Sequence, residues 1–97
     1  MSKHEIKMEI NPSGGRAFIA DASNETLAEM TFSKAGEHML IIDHTEVQES
    51  LKGQGIGRKL LDRIVEKART ENLKIMPLCP FAKSVFDKDA TIRDVLR

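Results

Sequence analysis

The chain has 97 residues, 40% apolar and 31% charged, which is one globular domain's worth (1–97) and too apolar for a disordered segment. Fifteen basic and fifteen acidic residues cancel, which argues against a nucleic-acid binder. There is no membrane-length apolar run, no leader-like core in MSKHEIKMEI, and one cysteine, Cys79, so the expectation is a cytoplasmic protein with neither disulfide nor metal cluster.

The first half reads as strands. Glu5 to Ile10 alternates, with Ile6, Met8 and Ile10 on one face, and NPSGG at 11–15 has turn chemistry. Arg16 to Asp21 is a second short strand, followed by a turn at DASNE. Leu27 to Ser33 alternates again, and KAGE closes it. Met39 to Val47 is the longest strand. Its apolar centre MLII predicts cover on both faces. Short turns between these strands predict an antiparallel meander.

From Ile56 the period changes. Apolar residues at 56, 60, 61, 64, 65 and 68 form a helical stripe, ending at Glu71 and Asn72. Leu73 to Cys79 is a strand that Pro77 confines to an edge or a bulge. PFAKSVF suits a short helix with Pro80 in its first turn, and DATIRDVLR a final one with Ile92, Val95 and Leu96 inward. The fold class is α+β, with about five strands, one long helix after the fourth, and one or two short C-terminal helices.

LKGQGIGRK, residues 51–59, places Gly53, Gly55 and Gly57 where the strand region gives way to the long helix. A helix start leaves backbone N–H groups unpaired, with partial positive charge around them. Glycines there let the loop curl and let a ligand approach bare backbone, which describes an anion cradle. Lys52, Arg58 and Lys59 add positive charge. The other reading of the glycines is a tight turn with steric needs only. Neither a nucleotide-triphosphate loop nor a dinucleotide fingerprint fits, since no Gly-Lys-Ser/Thr is present and the spacing is G-x-G-x-G.

The segment LKGQGIGRKLLDRIVEKA resembles motif A of the GNAT acyltransferases, Gln/Arg-x-x-Gly-x-Gly/Ala at a strand-to-helix junction. Lys52 takes the Gln/Arg position, Gly55 and Gly57 the glycines. GQGIG at 53–57, HTEV at 44–47 and CPF at 79–81 together resemble a small GNAT-like subfamily. The likeness runs roughly from Met39 to Phe86. It implies an abbreviated GNAT-like fold that binds acetyl-CoA (coenzyme A) and transfers acetyl to an amine. Val47, Lys52, Gly53, Gln54, Gly55, Ile56, Gly57, Arg58, Lys59, Cys79 and Phe81 would hold the cofactor-like substrate. The alternative is a non-catalytic acyl-CoA-binding or sensing module.

Two features depart from the family. Only NPSGG separates the first two strands where full domains carry two helices. The chain also has no tyrosine, and Phe86 stands where many members place a tyrosine acid. Cys79, before a predicted helix, is a candidate acid or acyl carrier, or else a small buried core residue. His44 and Glu46, two apart on a strand, share a face and are the candidate general base, or else solvated strand residues. Asp43 and Thr45 are expected on the other face, with Ile41.

Overall fold

The computed structural model describes residues 5–97; the first four residues of the N-terminal stretch lie outside it. In chain order the elements are β1 (Lys7–Asn11), β2 (Gly14–Ala20), β3 (Thr26–Ala35), β4 (Met39–Val47), a 3₁₀ turn (Glu49–Leu51), α1 (Ile56–Glu71), β5 (Lys74–Pro77), α2 (Pro80–Lys88) and a 3₁₀ segment (Ala90–Val95). The strands form one sheet in sequence order. β1 to β4 are the antiparallel meander, and β5 joins β4 in parallel because α1 carries the chain back to the end where β4 starts. No helix of the described residues is long and apolar enough to cross a membrane.

The helix follows its sequence stripe: Ile56, Leu60, Leu61, Ile64, Val65 and Ala68 are its buried residues. Asn72 ends it in the left-handed conformation, its N–H donating to the carbonyls of Ala68 and Arg69. α1 lies over β2, β3 and β4, and α2 and the 3₁₀ segment pack beside it into one core. The sheet alternates accordingly. Ala17, Ile19, Ala28, Met30, Phe32, Leu40 and Ile42 face the helices and are buried, while the side chains of the opposite face are half-buried or exposed.

Several local expectations are corrected. MLII is covered on one face only: Leu40 and Ile42 are buried, Met39 and Ile41 half-buried, because the helices all stand on one side. Ile10 shares the face of Met8, both beside Arg63, Glu66 and Lys67 of α1, but it is 54% exposed. It pairs with Gly15, which offers it no side chain. Gly14 and Gly15 belong to β2 rather than to the turn. A Cβ on Gly14 would meet the Phe32 carbonyl oxygen at 2.2 Å, and one on Gly15 that of Glu9 at 2.2 Å, so backbone proximity demands both glycines. The final segment is the short helix expected, of 3₁₀ type, with Ile92 and Val95 buried and Leu96 packed against the core.

Candidate functional site

β4 and β5 run together only as far as Ile42 and Pro77. The Ile42 carbonyl then accepts from both the Leu78 and the Cys79 N–H, at 3.1 and 3.2 Å, and the strands part. Just beyond, β4 carries one extra residue. Phe32 pairs with Ile42 and Thr31 with His44, leaving Asp43 as a bulge. The bulge resets the alternation. Thr45 and Val47 join the helix side with Leu40 and Ile42, opposite His44 and Glu46 as expected. Asp43 and Ile41 do not take Thr45's face. Asp43 accepts from Ser33 Oγ at 2.6 Å on the open face, where His44 and Glu46 also lie.

On the helix side, the end of β4, the loop and α2 enclose an open cleft of about 690 Å³. Thr45, Glu46 and Val47 form one wall; Leu51, Lys52, Gly53 and Gly55 the rim; Ile56, Gly57 and Arg58 the floor at the start of α1; Phe81, Val85, Lys88 and Asp89 the far wall. The glycines divide the work. Gly53 (φ 83°) and Gly55 (φ 72°) supply left-handed backbone, and a Cβ on either would meet nothing within 4 Å, so bare main chain faces open space. Gly57 is steric: its Cβ would stand 2.8 Å from the Phe81 ring. Gly55 begins α1 without a side-chain cap and no acidic residue follows in the first turn, which leaves the first amides free for an anion.

Of the residues named from sequence, Glu46, Val47, Lys52, Gly53, Gly55, Ile56, Gly57, Arg58 and Phe81 line this cleft. Gln54 turns back, its Nε2 donating to the Ser50 carbonyl at 3.3 Å. Lys59 sits on another side of α1, beside Ile6, Asp62 and Arg63. Phe86 is core, at 1% exposure. Cys79 is beneath the cleft, 3% exposed, and precedes α2 without capping it. Its Sγ lies 3.1 Å from Thr45 Oγ1 across the parted strands.

The charges are more tightly engaged than the sequence implies. Arg58 Nε donates to Asp62 at 2.8 Å and Nη2 to Asp89 at 2.6 Å. These two bonds, Asp62 first, raise the Arg58 pKa further. Asp89 is held at about 2 by hydrogen bonds from the Thr91 hydroxyl first, then Arg58, then the Thr91 amide. Lys52 has Glu49 at 3.5 Å.

On the open face, His44 Nδ1 lies 3.2 Å from Thr31 Oγ1 and Nε2 3.6 Å from Glu29 Oε2. Glu29 pairs with Glu46 across the strands, and Arg16 offsets that like-charge pair by donating to Glu29 at 2.9 Å. Ligand-type atoms of Glu29, His44 and Glu46 come within 4.8 Å of one another, a proximity that sequence reading missed because Glu29 is on another strand. It also missed Thr45, Leu51, Val85, Lys88 and Asp89. The hydroxyl and the basic and acidic pair were visible as residue types; their convergence depends on the bulge and on the placement of α2.

The donor set fits a diphosphate with an apolar arm. Open glycine backbone, free first-turn amides, Lys52 and Lys88 stand at one end, and Val47, Leu51, Ile56, Phe81 and Val85 supply apolar wall. Residues 16–95 match the family model described as GCN5-related N-acetyl-transferase. The solution structure of a GCN5-like protein from Staphylococcus aureus is 42% identical, with a TM-score of 0.79 over 100% of this chain and 91% of that one. Two more distant structures share the fold. A ribosomal-protein-alanine N-acetyltransferase from Brucella melitensis is 16% identical, with a TM-score of 0.65 over 80% of this chain and 62% of its own. A GNAT-family acetyltransferase from Staphylococcus aureus is 17% identical, with a TM-score of 0.58 over 66% and 41%. No curated protein matches the sequence. The chain belongs to the GCN5-related N-acetyltransferase family.

Proposed function

We propose that the protein binds acetyl-CoA in the cleft on the helix side of β4 and transfers the acetyl group to an amine. The observation that carries this reading is the uncapped start of α1, where Gly53 and Gly55 open bare backbone into a cleft whose other walls are apolar. The amides of Ile56, Gly57 and Arg58 with Lys52 and Lys88 would hold the diphosphate, and Val47, Phe81 and Val85 the pantetheine arm. A charge-assisted hydrogen bond is worth about 1.5–3 kcal/mol, so a few of them barely reach the ~8.2 kcal/mol of micromolar affinity once association costs are subtracted. The apolar arm therefore contributes, and inorganic diphosphate alone binds weakly.

The thioester would pass between the two sheet faces where the strands part, displacing the Thr45–Cys79 contact that spans the gap. His44, with Thr31 at Nδ1, and Glu46 would take the proton of the incoming ammonium from the open face. Cys79 would give its S–H proton to the departing thiolate. We place the chain in the small subfamily marked by GQGIG, HTEV and CPF, and in a reducing cytoplasm, as its single free thiol fits.

A second reading, a donor-binding or sensing module without transfer, is favoured by the absence of tyrosine and by the burial of Phe86. Incubation with acetyl-CoA and a panel of amines separates the two. Amine-dependent release of free thiol supports transfer; donor binding without release supports the module. Absence of binding by calorimetry overturns both.

A further inference from the structure

The 3₁₀ segment Ala90–Val95 is strapped along α1 by two arginines. Arg69 donates twice to Asp94, at 2.9 and 2.8 Å, and also to the Thr91 carbonyl at 2.8 Å. Arg58, about three helical turns earlier and so on the same side of α1, donates to Asp89. Only this second strap lies in the cleft, where Arg58 and Asp89 are both lining residues. Asp89 also organises the chain leaving α2: its Oδ1 accepts from the Thr91 N–H at 2.8 Å and from the Thr91 hydroxyl at 2.6 Å.

We propose that Asp89 is a built-in rival of the donor's diphosphate for Arg58, so that donor binding and the docking of residues 89–91 oppose each other. The proposal rests on the donor reading above. The guanidinium carries one positive charge and already faces two carboxylates, Asp62 and Asp89, so its charge is engaged before a ligand arrives. A diphosphate seated on the α1 amides comes up beside the Asp89 carboxylate, the one of the two that lines the cleft. Arg58 Nη1 makes no hydrogen bond among the described residues, so the guanidinium keeps donors for a phosphate oxygen. Of its two carboxylates, Asp62 is one helical turn away on α1 and moves with Arg58, whereas Asp89 belongs to a junction between short elements. Asp89 is the partner that yields. It remains ionised at neutral pH, so its repulsion is always present. The Arg69–Asp94 strap lies outside the cleft and stays closed, which confines the release to one end of the segment.

The test is a titration of the full chain with coenzyme A and, separately, with pantetheine, which lacks the diphosphate. Amide hydrogen exchange of Thr91 and calorimetric affinity are read in each. Coenzyme A is expected to speed exchange at Thr91 while Leu96 stays protected; pantetheine is expected to leave Thr91 unchanged. Asp89→Asn, which keeps an oxygen acceptor for Thr91 and loses the charge, is expected to bind coenzyme A about threefold more tightly or better. Equal or weaker binding by a variant that still unfolds in one cooperative transition well above the assay temperature overturns the proposal. So does an unchanged Thr91 in wild type with coenzyme A bound, an arm that needs no variant. If wild type binds no coenzyme A and the amides of Gly53 to Arg58 do not move, the donor reading falls and takes this proposal with it.

Discussion

The hydroxyl of Thr45 and the thiol of Cys79 face each other at 3.1 Å across the gap where β4 leaves β5. The contact exists because the Asp43 bulge turns Thr45 to the helix side just where Cys79 ends its run beside Ile42. A thiol at 3% exposure in this position is shielded from bulk reagent but lies next to the cleft wall.

Alkylation should therefore be slow. Iodoacetamide is expected to modify Cys79 at least about tenfold more slowly in the folded protein than in urea, and bound coenzyme A should slow it further. Cys79→Ala should cost about 1 kcal/mol in urea unfolding, the sulfur being one small buried group. If Cys79 takes part in transfer, the same variant binds coenzyme A as before and releases thiol at least about tenfold more slowly.

Gly57→Ala should do more damage than its size implies. The added methyl meets the Phe81 ring at 2.8 Å, so the ring must leave the cleft wall or the start of α1 must shift. A loss of about 1–3 kcal/mol in stability is expected, with weaker coenzyme A binding. Combining it with Phe81→Ala removes the clash, and the double variant should be more stable than the sum of the two single losses predicts. Additive losses would mean that the ring is not what Gly57 accommodates.

His44→Gln tests the open face. Thiol release in the presence of amine should fall by about 10²-fold or more, with coenzyme A affinity unchanged, since His44 stands on the far side of the sheet from the cleft. A parallel loss of affinity would place His44 in donor binding instead.

Acid stability should depend on Asp89. Its pKa falls from an ordinary 3.8 to about 2 on folding, so its contribution is complete above 3.8 and disappears as pH drops toward 2. Asp94, lowered by its hydrogen bond from Arg69, acts in the same direction. Urea unfolding of Asp89→Asn should show a shallower decline over that window than wild type. Identical slopes would mean that the carboxylate has the same proton affinity folded and unfolded.

What the sequence disclosed was whatever repeats with a regular period or needs a special backbone. The stripe from Ile56 to Ala68, the edge position forced by Pro77 and the glycine loop all belong to that class. The bulge does not. Asp43 is one residue too many for the ladder with β3, and alternation inside HTEV has no mark that reveals it. Three glycines in one loop also looked like a single device, yet Gly53 and Gly55 provide dihedral freedom while Gly57 makes room for a ring. Distant partners were equally hidden. Arg58 and Asp89 stand 31 positions apart, and only the docking of α2 beside α1 brings them together.

Pro77 closes the shared ladder of β4 and β5 with a residue that has no N–H to offer. Both amides that follow are spent on a single carbonyl, that of Ile42, so neither is left to extend the ladder. The parting is thus built into the covalent chain, and what spans the gap beyond it is one side-chain contact, Thr45 to Cys79, rather than main-chain hydrogen bonds. On the donor reading, an acyl arm would have two small side chains to displace and no ladder to break.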